Sequence, residues 1–283
     1  SLHLLAGSVQ ADYRSQFAGR SLDVMVGFSN SGGGARFWGV FIKHMRRHPP
    51  DTIIKAEFKD GPLAVRGVDE IFKSKPGELA IGLVRPPELA FVQIDNPQSL
   101  ESDLREAHWL LSVENLSYIM AARKGLPLDL EGLRSSSETL LLPVSDVLST
   151  SSRVSVLLSA VTGIPTRNVV GFKRSARKKA LLVGDVDLLT IGIDSDLIPV
   201  IESGDIVPLY KIAGDDFASL DAKTPDLEMF LEKDAPTPVV DFIRSARGMG
   251  RAFFAPPNTD PDDVAAFKEL LEAVVSDPAF QDD

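Results

Sequence analysis

The residues best placed to do chemistry form a glycine turn. Ser29-Asn30-Ser31-Gly32-Gly33-Gly34 follows the strand-like segment Leu22 to Val26 with Gly27 and Phe28, and precedes Phe37, Val40, Phe41 and Met45 at helical spacing. A strand that feeds a glycine turn and then a helix points unpaired backbone N–H groups at one spot. About half a positive charge at the helix N-terminus adds to them, and the Ser29 and Ser31 hydroxyls and the Asn30 amide supplement them. Such a spot favours an anion. The spacing names no ligand, since it carries neither the Gly-Lys-Ser/Thr of a nucleoside triphosphate loop nor the dinucleotide fingerprint. The same turn also serves simply to let a helix meet a strand. A second turn, from Ser145 through Asp146 to Ser149, Thr150, Ser151 and Ser152, again opens a helix, and plain N-capping is its alternative. Two anion-friendly helix starts in two halves of a chain suggest a cleft.

Other constellations are weaker. His44 and His48 have the spacing of metal ligands on one helix, but no third ligand is apparent, and a solvated helix end is the expectation. Gly27-Phe28-Ser29-Asn30-Ser31 nearly makes a hydrolase elbow, yet its last glycine is Ser31, and His3 and His108 are the only other histidines to serve as base. Asp194 with Asp196 and Asp215 with Asp216 read as turn caps. The basic run Lys173 to Lys179 reads as a solvated helix face or a docking patch. No catalytic residue, metal ligand set or cofactor is expected.

Composition narrows the classes. The 283 residues suit two domains or one large α/β domain, and 44% hydrophobic with 25% charged residues is a globular balance. Without cysteine there is no disulfide frame, zinc–thiolate site or thiol nucleophile. A net charge of -10 argues against nucleic acid as a partner. No run approaches the ~18 apolar residues of a membrane span. The first residues lack a basic region and an initiator Met, so a soluble, trimmed chain is expected.

Strands are expected at 22–26, 53–58, 79–84, 140–144, 169–172, 186–191, 206–210 and 252–254, with helices between most of them, which implies a parallel sheet. Leu110 to Val113 and Tyr118 to Ala122 lie too close for a crossover helix and suit two antiparallel crossing strands. Residues 213–225 are polar and broken, as a return crossing would be. Near the end, Asp260 as N-cap, Pro261 at N1, and Val264, Phe267, Leu270, Leu271 and Val274 on one face define a packing helix.

Several segments together resemble the substrate-binding proteins of tripartite tricarboxylate transporters, the TctC and Bug-like receptors. Leu22 to Arg36 is similar to that family's opening strand and glycine loop, and Asp60-Gly61-Pro62 with Val65-Arg66-Gly67 to its second turn and helix. Ala180 to Leu188, with Gly184-Asp185-Val186-Asp187-Leu188, and Leu197-Ile198-Pro199-Val200-Ile201 before Gly204 resemble its leucine-rich helix, Gly-x-Val-Asp-Leu and Leu-Pro-x-Ile segments. Phe254-Ala255-Pro256-Pro257-Asn258-Thr259 and Asp277-Pro278 resemble its closing motifs. Three features depart from the pattern: Gly27 replaces a Pro, Arg36 stands where an Asp is common, and the second loop lacks Gly-Ser-x-x-His.

The resemblance implies an α/β, two-lobed periplasmic binding protein fold of type II with two chain crossings forming the hinge. Lobe one would be residues 1–108 plus 225–283 and lobe two 109–224. It implies that the turn at Phe28 to Gly34 and the turn at Ser145, Asp146, Ser149, Thr150 and Ser151 clamp a small organic carboxylate across the cleft. Arg36 and Arg85 are candidates for a bidentate pair with a second carboxylate, and Lys59 and Asp60 are lesser ones. Function would be capture of the ligand for membrane permease subunits by a periplasmic monomer that is not an enzyme. A ligand-sensing regulatory module of the same fold and a small-molecule enzyme using Ser29 or an acid pair are the competing readings.

Overall fold

The structure is a computed structural model that describes residues 12–28, 32–59, 62–114, 118–126, 129–145, 150–172, 174–192, 197–212, 224–246 and 250–283. The chain divides into unit 1, Ser1–Glu114 with Gly250–Asp283, and unit 2, Asn115–Met249.

Unit 1 begins with a short helix α1 (Tyr13–Phe17) and the strand β1 (Ser21–Val26), then alternates α2 (Gly32–Met45), β2 (Ile53–Phe58), α3 (Pro62–Phe72), β3 (Leu79–Val84) and α4 (Pro86–Asp95). The strand β4 (His108–Glu114) leaves the unit, and β10 (Arg251–Ala255), α10 (Pro261–Val275) and α11 (Pro278–Asp282) complete it. The sheet order is β2-β1-β3-β10-β4. β1 runs parallel to β2 and β3, whereas β10 lies antiparallel between β3 and β4. All six residues of β3 are buried, as a central strand covered on both faces requires.

One face of this sheet packs Leu22, Val24, Val26, Leu79, Ile81, Leu83 and Phe253 against Trp38, Phe41 and Met45 of α2 and Phe267 and Leu270 of α10. The other face packs Met25, Ala80, Val84 and Phe254 against Val68 and Ile71 of α3 and Leu89 of α4. The period of two in β1 and β3 meets the helical period of α2 and α3 on opposite sides, giving a three-layer unit. Gly82 makes the second face possible, because a Cβ there would strike the buried Phe254 ring.

Unit 2 contains β5 (Tyr118–Arg123), α5 (Leu130–Arg134), β6 (Leu140–Pro143), α6 (Thr150–Thr162), β7 (Thr166–Val169), α7 (Arg174–Val183), β8 (Leu188–Gly192), α8 (Ile198–Glu202), β9 (Ile206–Ile212) and α9 (Thr237–Ala246). Its larger sheet, β8-β5-β9, is antiparallel throughout, whereas β6 and β7 pair in parallel. The parallel sheet expected from strand–helix alternation therefore holds for β2-β1-β3 and β6-β7, not for the rest.

The changeovers also differ from the sequence expectation. β4 and β5 do not pair with each other; each is tied to its own sheet, so unit 1 runs to Glu114 rather than to 108. The return falls at Met249–Gly250, not within 213–225, because α9 packs Val240 and Ile243 into the unit 2 core. Residues 213–223 lie outside the described residues. In α4, Pro86 and Pro87 occupy the first turn, where the missing N–H costs nothing. The expected strand at 169–172 sits earlier, at Thr166–Val169. At α10 the Asp260 side chain accepts from the Asp262 N–H, as the sequence indicates.

Candidate functional site

The glycines of the first turn enter the helix itself: Gly32, Gly33 and Gly34 are the opening residues of α2. By helix geometry their amides have no acceptor within α2. Just before them the backbone is committed. The Gly27 N–H donates to the Leu83 carbonyl at 2.8 Å, and the Val26 carbonyl accepts from Phe28 at 2.8 Å and from Lys59 at 2.8 Å. Gly27 also approaches β3 so closely that a Cβ would lie 3.1 Å from the Leu83 oxygen. A proline there would lose the Leu83 bond, and the close approach to β3 favours a residue without a Cβ. Ser29, Asn30 and Ser31 lie outside the described residues.

The sheet register then builds a row of side chains. Val26 pairs with Leu83 and Ala252 with Val84, so carrying each register onward brings Phe28, Arg85 and Arg251 level with one another. They leave the face that α2 covers, the same face as Val26, Leu83 and Phe253. The contacts agree with the register. The Arg85 guanidinium lies 4.9 Å from the Phe28 ring centroid, and the Arg251 guanidinium lies 5.3 Å from that centroid and 5.9 Å from that of Trp38. Phe28 in turn stacks on Trp38 at 5.9 Å with the rings 12° apart. Phe28 is 8% exposed and Trp38 fully buried, so the rings form a floor and the two guanidinium groups flank it. Arg85 also reaches Glu88 at 3.0 Å, three residues on in α4.

This row stands at the carboxyl ends of β1 and β3, where open α/β sheets bind ligands. Two guanidinium groups beside a helix N-terminus can bind carboxylates bidentately, and nothing in the row is a nucleophile or general base. Phe28 and Arg85 of this row were among the residues expected from the sequence, whereas Arg251 and Trp38 were not. The available signal for Arg251 was an arginine at the mouth of the apolar strand Ala252-Phe253-Phe254-Ala255.

The remaining expected site residues divide. Lys59 is held by an ion pair with Glu70 of α3 and lies 3.5 Å from Glu57, and the Glu70 hydrogen bond raises its pKa against the effect of burial. It is thus engaged within unit 1. Gly67 lets it lie there, since a Cβ would come within 2.8 Å of the Lys59 side chain. Arg36 lies in the first turns of α2, and Asp60 falls outside the described residues. In unit 2, Ser145 is exposed and its carbonyl accepts from Gly171 at 3.1 Å. Thr150 and Ser151 open α6, whereas Asp146 and Ser149 lie outside the described residues. Ser152 is buried and accepts from the Asn168 amide at 2.9 Å, a structural bond.

Two other expectations change. His44 is not on a solvated helix end: it is fully buried, with Nε2 2.8 Å from Asp283 and Nδ1 3.8 Å from Asp277. His48 lies 3.3 Å from the same Asp277 carboxylate. These contacts dock α11 on α2. Among the described residues no group of His, Asp and Glu is placed to hold a metal ion. Arg177 and Lys178 in the basic run are half-buried rather than fully solvated. His3 and the acid pairs Asp194 with Asp196 and Asp215 with Asp216 lie outside the described residues.

No family model matches the chain, and no curated protein matches it by sequence. Solved structures do. A TctC solute-binding protein from Polaromonas superposes with a TM-score of 0.73 over 93% of this chain and 86% of its own, at 14% identity. MatC from Rhodopseudomonas palustris, with bound malate, gives 0.59 over 93% and 86% at 17% identity. A second R. palustris protein, with adipate, gives 0.60 over 92% and 84% at 16% identity. The fold is therefore that of the two-lobed periplasmic solute-binding proteins. Within that class it is the TctC type of fold that the chain adopts.

Proposed function

We propose that this protein is a periplasmic solute-binding receptor that captures a small organic carboxylate and delivers it to the permease subunits of a tripartite tricarboxylate-type transporter. The observation that carries the reading is the row of Phe28, Arg85 and Arg251 beside the first turn of α2, at the carboxyl ends of β1 and β3. Malate and adipate in two proteins of the same fold support a carboxylate as ligand. The first-turn amides of α2 and the Ser29 to Ser31 segment are the proposed partners of one carboxylate. Ser145, Thr150 and Ser151 are proposed contacts from unit 2. The protein acts as a monomer, and binding involves no bond-making step.

The reading is tested by thermal unfolding of ligand-stripped protein against mono-, di- and tricarboxylates, with sugars, amino acids and phosphates as controls. A true ligand at about a hundred times its Kd adds about 2.7 kcal/mol, which raises Tm by several degrees. A carboxylate-only response is expected. Silence towards every carboxylate, or a response confined to neutral solutes, overturns the proposal.

A further inference from the structure

We infer that Arg251 is a specificity-determining residue that, with Arg85, selects ligands carrying a second anionic group. The inference rests on the carboxylate-receptor reading and assigns the charge count of the ligand to one pair of side chains. Arg251 opens β10, which returns to unit 1 only after the whole of unit 2, and its register places it level with Arg85 of the β3–α4 junction. Both guanidinium carbons sit within 5.3 Å of the Phe28 centroid, so they are at most about 10.2 Å apart, the sum of their two distances to it. That is a span a short dianion can bridge, because each guanidinium takes one carboxylate through parallel N–H···O bonds.

The aromatic floor fixes these positions. Phe28 is pinned by Trp38, and the Arg251 guanidinium lies over both rings, so the cations do not depend on long flexible stems for their placement. Two cations on one ring repel each other, and anions relieve that repulsion. Glu88 reaches Arg85 at 3.0 Å, but the pair is i, i+3 and more than a third exposed on the Glu88 side, so a better-aligned carboxylate can replace it. Amides of the α2 first turn bind an anion whatever lies at its far end. The arginine pair is what tells a ligand with a second carboxylate from one without.

The test compares dicarboxylates from malonate to suberate with the monocarboxylate of equal chain length, by calorimetry and thermal shift, in wild type, Arg251→Ala, Arg251→Lys and Arg85→Ala. For the dicarboxylate that binds best, Arg251→Ala is expected to weaken affinity about 10- to 100-fold, the range of a lost charge-assisted pair, while its monocarboxylate counterpart changes by less than about threefold. Arg251→Lys should keep part of the preference, since it retains charge without the planar fork, and it serves as the folded control if the alanine variant is unstable. Equal losses on both ligand types, or unchanged dicarboxylate affinity in Arg251→Lys and Arg251→Ala, overturn the inference while leaving the receptor reading in place. Silence of the wild type towards all carboxylates overturns both.

Discussion

Units 1 and 2 are built on different physics. Unit 1 is aromatic: Trp38, Phe41, Phe253 and Phe267 fill one face of its sheet, and the Arg85 and Arg251 guanidinium groups lie against the Phe28 ring. The core of unit 2 is chiefly aliphatic, with Leu142, Leu158, Val161 and Leu209 around Tyr210 and Phe230. Its polar side chains tie neighbouring elements together. Asp187 accepts from the Leu141 N–H at 2.9 Å and from Arg123 at 2.9 Å, and Asn168 donates to Ser152. The contrast bears on where the proposed selectivity would reside. A pair of guanidinium groups fixed on rings can count the charges on a ligand, whereas a hydrogen-bonded scaffold mainly holds shape.

The sharpest way to break this contrast is to remove its aromatic centre. Trp38→Ala should destabilise unit 1 by about 3–5 kcal/mol, the usual cost of emptying a large buried site. Chemical denaturation read by the fluorescence of the remaining Trp109 checks it, because both tryptophans belong to unit 1. A loss below about 1 kcal/mol would mean that the aromatic cluster is not what holds the unit.

The next effect is ionic. Arg20 grips the buried Asp263 carboxylate at 2.6 and 2.9 Å, and Gln16 adds a third bond at 2.8 Å. Burial pushes this carboxyl's pKa up, but the Arg20 and Gln16 bonds and the Arg20 charge outweigh it, leaving the group below its ordinary 3.8. A depressed folded pKa gives stability that is present above about pH 4 and lost as pH falls through the lower folded value. Arg20→Ala should therefore cost about 3 kcal/mol at neutral pH, the low end for breaking a buried pair because Arg20 is partly exposed. The gap between variant and wild type should narrow in urea melts as pH drops to about 3. A gap that widens in acid contradicts the assignment.

The smallest of the three lies in unit 2. Asp187→Ala should cost about 2 kcal/mol, since it strands the Leu141 N–H and the Arg123 guanidinium. The loss should appear in the circular dichroism transition and leave the Trp fluorescence transition of unit 1 in place. Coincident shifts in both signals would show that the units unfold as one.

Much of the fold was legible because its signals are local. The bounds of β3 follow from a continuous apolar run, and α10 announces itself through Asp260 and Pro261. The Asp187 segment carried the family resemblance, and the structure explains why it reads so clearly: it ties β6 to β5, a demand of the scaffold. The candidate site was half legible. Phe28 and Arg85 adjoin strands whose pattern is plain, but Arg251 joins them only through the pairing of Ala252 with Val84, and no short window contains that pairing. The antiparallel sheet of unit 2 was missed for the same reason, since alternation of strands and helices does not reveal which strands become neighbours.

The strand order of unit 1 has a consequence for the order of assembly. β10 lies between β3 and β4, and in the described sheet β4 pairs with β10 alone. A chain growing from its N-terminus has therefore made β4 and all of unit 2 before β4 gains a partner. The first unit to begin is the last to close, against the usual habit of domains finishing in the order they are synthesised. Until Phe253 and Phe267 emerge, Trp38 and Phe41 wait with part of their packing partners missing. The nascent chain thus carries an open apolar face for as long as unit 2 takes to be made, and it is during that interval, more than in the finished protein, that it needs shelter.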